Sequence, residues 1–229
     1  MAFRKVSSNR TSSGKLRISG SAQNLGYART SRKVIDRNFI SSGSLSTSSP
    51  AFLIETINVE NTINLVNNGR IQGAGGAGGD FYSGYGENGY AGGTALYCNV
   101  PLKIDNTNGR IFGGGGGGGW RSIGIPLAGI PGSGGAGWSK VGPAGLKNTA
   151  ITYWSPGLPG TSESGGAAVY GSFTQSSFGV SGLSGGGGNP GNSGGTSSSG
   201  QAGGRAGFYI EGNQYVTWSS IGDRRGPIS

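Results

Sequence analysis

The chain has 229 residues, a net charge of +9, no histidine, 52 glycines and a charged fraction of 12%. The missing histidine excludes Ser-His-Asp chemistry and histidine metal sites, and the single cysteine, Cys98, excludes an intrachain disulfide or a multi-cysteine zinc site. No apolar run is long enough for a transmembrane helix, and the N-terminus reads as no secretory signal.

Residues 1–50 are polar, serine-rich and basic. Residues 1–38 carry nine basic groups against Asp36 alone, a net +8, so nearly all the charge sits here. Apolar residues are too sparse for an independent core, so the segment orders only against its own body or a partner. The expected division is therefore a basic attachment arm, 1–50, and a glycine-rich body, 51–229. The arm reads as a docking segment for another protein. Attraction to nucleic acid or anionic lipopolysaccharide is the weaker reading, because no arginine-glycine repeat or nucleic-acid fold is present.

Residues 51–66 read as strand, with Ile57-Asn58-Val59 and Ile63-Asn64-Leu65 alternating at period two. Asn67-Asn68-Gly69 is a turn. A second copy follows: Val100–Asp105, then Asn106-Thr107-Asn108-Gly109. Asn68-Gly69-Arg70-Ile71 recurs as Asn108-Gly109-Arg110-Ile111, an offset of 40, and each copy runs straight into a glycine tract. Near the end, Phe208–Ile210 and Tyr215–Trp218 around Gly212-Asn213 read as a terminal hairpin. No helical periodicity appears anywhere.

Residues 69–207 hold 45 of the glycines. Collagen is excluded, because Gly113–Gly119 is unbroken and the chain has only 9 prolines. The tracts are 73–79, 113–119, 132–137, 185–195 and 200–207. The insertions between them, 80–91, 120–131, 138–164 and 167–184, carry most of the aromatics. An extended helix with three residues per turn directs its N–H and C=O groups sideways, so several packed together can bond to one another, and only glycine permits the close spacing. Ordering a backbone residue costs roughly 1–2 kcal/mol and one exchanged hydrogen bond returns about 1 kcal/mol, so such tracts need parallel packing and apolar flanks. Composition alone suits a disordered low-complexity tract equally well. The packed reading gives an irregular all-β fold, with short strands, a sandwich of polyglycine-type helices and almost no α-helix.

Catalytic motifs do not survive inspection. Gly73–Gly78 fits G-x-G-x-x-G, but no helix follows it. Gly182–Gly186 and Gly191–Gly195 fit G-x-S-x-G, but no histidine exists to take the serine proton. The nine carboxylates are scattered, with no acid/base pair. Cys98 reads as a buried, inert thiol.

Strand, Asn-Gly turn, glycine tract and aromatic insertion, repeated and closed by Gly204–Trp218, together resemble the glycine-rich receptor-recognition proteins at bacteriophage tail-fibre tips. The detachable adhesins of T-even-like phages and some siphophage tail-tip modules share this layout. The resemblance covers residues 51–229 and implies a non-enzymatic adhesin without cofactor or metal. Such an adhesin would bind a bacterial outer-membrane protein or surface glycan and no nucleic acid. Another tail or fibre protein would be joined through residues 1–50, and an oligomer is compatible. The glycine tracts would be scaffold and the insertions recognition loops. Trp120, Ile123, Ile125, Trp138, Tyr153, Trp154, Tyr170, Phe173 and Phe178 are the candidate receptor contacts, since aromatic side chains dominate binding hot spots. A structural tail-tip or connector protein without receptor contact is the second reading. An antifreeze or matrix module is the third, disfavoured by the irregular insertions.

Overall fold

The computed structural model describes residues 15–17, 23–25, 34–37, 42–43, 47–54, 63–82, 85–122, 129–137, 142, 157–175 and 178–229. The strands that run through the first half are β1 (Lys15–Arg17), β2 (Gln23–Leu25), β3 (Val34–Arg37), β4 (Ser42–Gly43), β5 (Phe52–Ile54), β6 (Ile63–Asn67), β7 (Arg70–Gln72), β8 (Phe81–Tyr82), β9 (Tyr85–Gly86) and β10 (Leu96–Cys98). The second half adds β11 (Leu102–Asp105), β12 (Arg110–Phe112), β13 (Arg121–Ser122), β14 (Gly129–Ile130), β15 (Tyr170–Gln175), β16 (Phe178–Leu183), β17 (Ile210–Glu211), β18 (Val216–Ser220) and β19 (Asp223–Arg225). Among the described residues the only helix is a single 3-10 turn, Asn213–Tyr215, far too short to cross a membrane.

Three sheets are entirely parallel, with orders β2-β5-β10-β17, β1-β3-β6-β11-β18 and β4-β7-β12-β19. Each pass of the chain visits them in the same sequence. The result is a three-faced parallel solenoid in which 23–43, 52–72, 96–112 and 210–225 are successive coils. Period-two alternation turns Phe52, Ile54, Ile63, Leu65, Leu96, Leu102 and Ile104 inward, where they meet Ile71, Ile111 and Ile210 in one core. The internal repeat is thus two stacked coils: Arg110 lies beside Arg70, at the expected offset of 40, while Leu102 lies beside Ile63. The extra residue sits in the turn. At that corner Asn67 Nδ2 donates to Asn106 Oδ1 (2.7 Å), and Asn106 Nδ2 donates to the Ile221 carbonyl (2.9 Å). Both asparagines are fully buried, and the ladder satisfies them.

Two expectations change here. β2, β3 and β4 pair with β5, β6 and β7, so the boundary drawn at residue 50 marks no break in the sheets. The described strands of the segment are ordered against the sheets of the body. The terminal hairpin is not one: β17 and β18 belong to different parallel sheets, joined through Gly212 at φ 87°. A glycine-asparagine corner in a solenoid carries the same turn chemistry as a hairpin, and the short strands do not distinguish the two.

The second body is a lattice of extended tracts, inserted as 73–95 between the second and third coils and as 113–209 between the third and fourth. Tract 73–79 continues β7 and tract 113–119 continues β12, still parallel. Gly73, Gly76 and Gly79 donate to the carbonyls of Phe112, Gly115 and Gly118 (2.8–3.0 Å). The three-residue interval is the signature of a threefold helix.

Tract 113–119 is the hub. Its N–H groups donate in rotation to three neighbours: Gly114 and Gly117 to Gly93 and Tyr90, Gly115 and Gly118 to Ala136 and Ser133, Gly116 and Gly119 to Asn192 and Gly195. Its carbonyls accept from three others: Gly114 and Gly117 from Gly207 and Gly204, Gly115 and Gly118 from Gly76 and Gly79, Gly116 and Gly119 from Gly188 and Gly185. Every column of the helix therefore faces a neighbouring backbone. A Cβ at any position from Gly113 to Gly119 would lie 1.7–2.1 Å from a backbone oxygen. Peripheral tracts have an open column, and side chains fill it every third residue: Asn88 and Ala91 in one tract, Ala202 and Arg205 in another, all exposed.

Among the described glycines, positive φ occurs at Gly191, Gly200, Gly212, Gly222 and Gly226, which lie in turns. Apart from Gly191 and Gly200 at tract ends, the tract glycines are required for their missing Cβ, not for a left-handed backbone. Parts of three expected insertions, 87–91, 157–161 and 167–168, belong to lattice tracts 87–94, 157–161 and 164–168, since Tyr90 and Gly93 donate to Ala77 and Ala74, Gly134 donates to Leu158, and Gly166 donates to Gly134.

Candidate functional site

The hydrogen-bond register orients every tract relative to the solenoid. Tracts 73–79 and 113–119 leave it, and tract 132–137 returns antiparallel, with Gly132 bonded to Gly79 and Gly135 to Gly76. Tract 184–188 also returns, 191–197 leaves, and 201–207 returns to β17. Turns at Thr161–Ser164 and at Asn189-Pro190 therefore lie beside the solenoid. At the far end lie the β8–β9 hairpin, the β13–β14 hairpin, the six-residue-stranded β15–β16 hairpin and the turn 197–201. Gly142 donates to the Gly135 carbonyl, and the Leu158 N–H donates to Ser133 Oγ (3.1 Å).

The candidate contacts separate accordingly. Tyr170, the first residue of β15, is 60% exposed and pairs across the hairpin with Leu183, 47% exposed. Leu158, on tract 157–161, is 46% exposed. Phe173 lies opposite Val180 and Phe178 opposite Gln175 in the same hairpin register. Ile123, Ile125, Trp138, Tyr153 and Trp154 lie outside the described residues. Trp138 follows Gly137, which bonds Thr161 at the solenoid end of the lattice. Trp120 is only 3% exposed and sits inside the far end. Its ring belongs to the interior, because the hub tract that ends in it is surrounded on all sides.

Leu158 and Leu183 were not among the expected contacts. The signal for them was present as single apolar residues beside tract ends, but exposure of a lone leucine is decided by tertiary neighbours.

The solenoid end is tied down by charge. Arg70, buried on β7, donates to Glu163 and to the Ser162 carbonyl, and its guanidinium stacks 5.1 Å from the Phe112 ring centroid. Burial lowers its pKa from the usual arginine range, against the opposing pull of Glu163. Gln72 Nε2 donates to the same Ser162 carbonyl (3.2 Å). On the lattice flank, the Tyr90 hydroxyl donates to Glu87 Oε2 (2.7 Å), which raises the phenol pKa. Cys98 is buried in the solenoid core, and burial pushes its pKa up to about 11, so the thiol is unreactive at neutral pH. Among the described residues no three His, Cys, Asp or Glu side chains gather to hold a metal.

A rigid scaffold almost without side chains, with side-chain-rich hairpins at one end and a solenoid at the other, defines a presentation platform for surface recognition. Sequence comparison gives that class its family: the model of the phage tail fibre adhesin Gp38 matches residues 5–229, and the chain belongs to this family. The crystal structure of the gp37-gp38 adhesin tip complex of the bacteriophage S16 long tail fiber is similar, with a TM-score of 0.62 and 26% identity over 86% of this chain and 71% of that one. No curated protein matches the chain. The protein is thus a receptor-binding adhesin of the tail-fibre tip, acting in attachment of the virion to its host.

Proposed function

We propose that host contact is made by the insertions at the far end of the lattice, with no chemical step. Ile123, Ile125, Tyr153, Trp154, Tyr170, Phe173 and Phe178 supply the side chains, joined by Leu158 and Leu183. Trp120 is left out for its burial, and Trp138 stays a candidate on the same footing as the other insertion aromatics. The observation that carries the reading is the register of the tracts, which directs the β8–β9, β13–β14 and β15–β16 hairpins to one end. Exposed Tyr170 and Leu183, paired across the hairpin, with exposed Leu158 on a neighbouring tract, suit contact with an outer-membrane protein or with the faces of sugar rings. The partner on the virion side is another fibre protein, met through residues 1–50 and the solenoid coil they build. The S16 structure holds its adhesin in complex with gp37, which favours that assignment.

Competition of purified protein with phage adsorption tests the receptor face. Tyr170→Ala should weaken competition by roughly 30-fold, a hot-spot loss of about 2 kcal/mol, with melting unchanged. Unchanged competition by Tyr170→Ala, Phe173→Ser and Leu183→Ser together would remove this hairpin from the contact.

A further inference from the structure

The receptor reading needs the hairpins held in one arrangement, and the lattice supplies a seat for them. Trp120 continues the hub: its N–H donates to the Glu87 carbonyl (3.1 Å), in step with Gly117 and Gly114. Its ring is therefore fixed by the most highly bonded tract in the molecule. That ring lies between two hairpin backbones. A Cβ on Gly86, the last residue of β9, would fall 1.6 Å from Trp120 Cε3. A Cβ on Gly129, the first of β14, would fall 1.7 Å from Cζ2. The indole is thus in direct contact with both chains, and neither could carry a side chain there.

The next residue reaches the other two elements. A Cβ on Gly182 in β16 would fall 2.0 Å from Arg121 Cζ, so the guanidinium stem lies against that strand. Arg121 Nη1 donates to Ser198 Oγ in the turn 197–201. Ser198 Oγ in turn accepts from the Leu183 N–H and donates to the Leu183 carbonyl, both at 3.0 Å. One dipeptide at the hub's end thereby touches β9, β14, β16 and the last turn.

We infer that Trp120 and Arg121 are a positioning pair, which fixes the distal hairpins relative to one another and so sets the shape presented to the receptor. The inference rests on the receptor reading for its consequence, not for its geometry. Buried as it is, the indole cannot meet a host surface; its packing acts on the loops alone. Loop sequences can then be exchanged without disturbing the scaffold, provided Gly86, Gly129 and Gly182 are kept against the pair.

Amide hydrogen exchange on the full chain, without receptor, tests the seat directly. Trp120→Ala should lower protection in β8–β9 and β13–β14 by roughly 100-fold, the scale of losing a buried indole, while Gly114–Gly118 stay protected. Arg121→Ala should loosen β15–β16 and the turn 197–201 instead. Trp120→Phe should restore part of the first loss, and Gly129→Ala should reproduce it in β13–β14 with the ring intact. Unchanged protection of the hairpins would overturn the inference. So would equal loss throughout Gly114–Gly118, which would make Trp120 a filler of the lattice. Adsorption measured on the same variants separates the two readings: hairpins loosened as expected with normal adsorption would uphold the pair and remove the receptor face.

Discussion

The solenoid and the lattice order their backbones by opposite means. In the solenoid, Phe52, Leu65, Leu96, Ile104 and Ile111 bury their side chains in a shared interior, and the strands bond to two neighbours in a plane. In the lattice, the hub at Gly113–Gly119 has no side chain to bury and bonds to six neighbouring tracts around its axis. The first depends on apolar area, at about 25 cal/mol per Å² buried. The second depends on the absence of Cβ, which lets backbone pack on backbone and leaves few polar groups without a partner. Removing atoms should therefore damage the solenoid, and adding atoms should damage the lattice.

The largest expected effect follows from that contrast. Gly116→Val places a branched side chain where a Cβ alone would lie 2.0 Å from the Gly204 carbonyl oxygen. We expect a loss of at least about 4 kcal/mol, the exceptional range for single changes, seen as a collapse of the thermal transition. The same valine at Ala91, in an exposed column of a peripheral tract, should change stability by no more than about 0.5 kcal/mol. Equal effects at the two positions would break the hub description.

Ile104→Ala sharpens the other side. This fully buried side chain belongs to the third coil, between β6 and β18. Its truncation should cost about 2–5 kcal/mol by chemical denaturation, because the surrounding strands cannot collapse onto the void.

The smallest effect is a pH dependence confined to the solenoid. Cys98 holds its proton more tightly folded, near pH 11, than a free thiol near 9. The raised native value means that its contribution is complete below pH 9 and is lost as the pH climbs toward 11. Stability should fall across that window in the parent and less in Cys98→Ala. At pH 8 the native thiol should resist alkylation that proceeds readily in denaturant.

Much of this was legible in the residues. Alternation in Ile63-Asn64-Leu65 and Leu102-Lys103-Ile104 gave strands, and the paired Asn-Gly-Arg-Ile turns gave the repeat, because each coil obeys the same inward-outward rule. The run Gly113–Gly119 marked a place where no Cβ fits. Less regular tracts were harder: Ala74 with Ala77, Ser133 with Ala136, and Asn88 with Ala91 recur at three-residue intervals, a period that separates scaffold from insertion once a threefold helix is considered. Tract 87–94 was hidden among aromatics for want of that period.

The sequence by itself narrowed the middle of the chain to two states, disorder or backbone packed on backbone, since one-third glycine without a collagen period leaves no other route to order, and it placed most of the aromatics in the insertions. Only the tertiary structure decided that β1 to β4 join the solenoid, that the hairpins share one end, and that Trp120 turns inward while Tyr170 turns out. These follow from which tract lies beside which. Parallel and antiparallel tracts have the same composition and the same period, and the register of hydrogen bonds between segments far apart in the chain is what separates them.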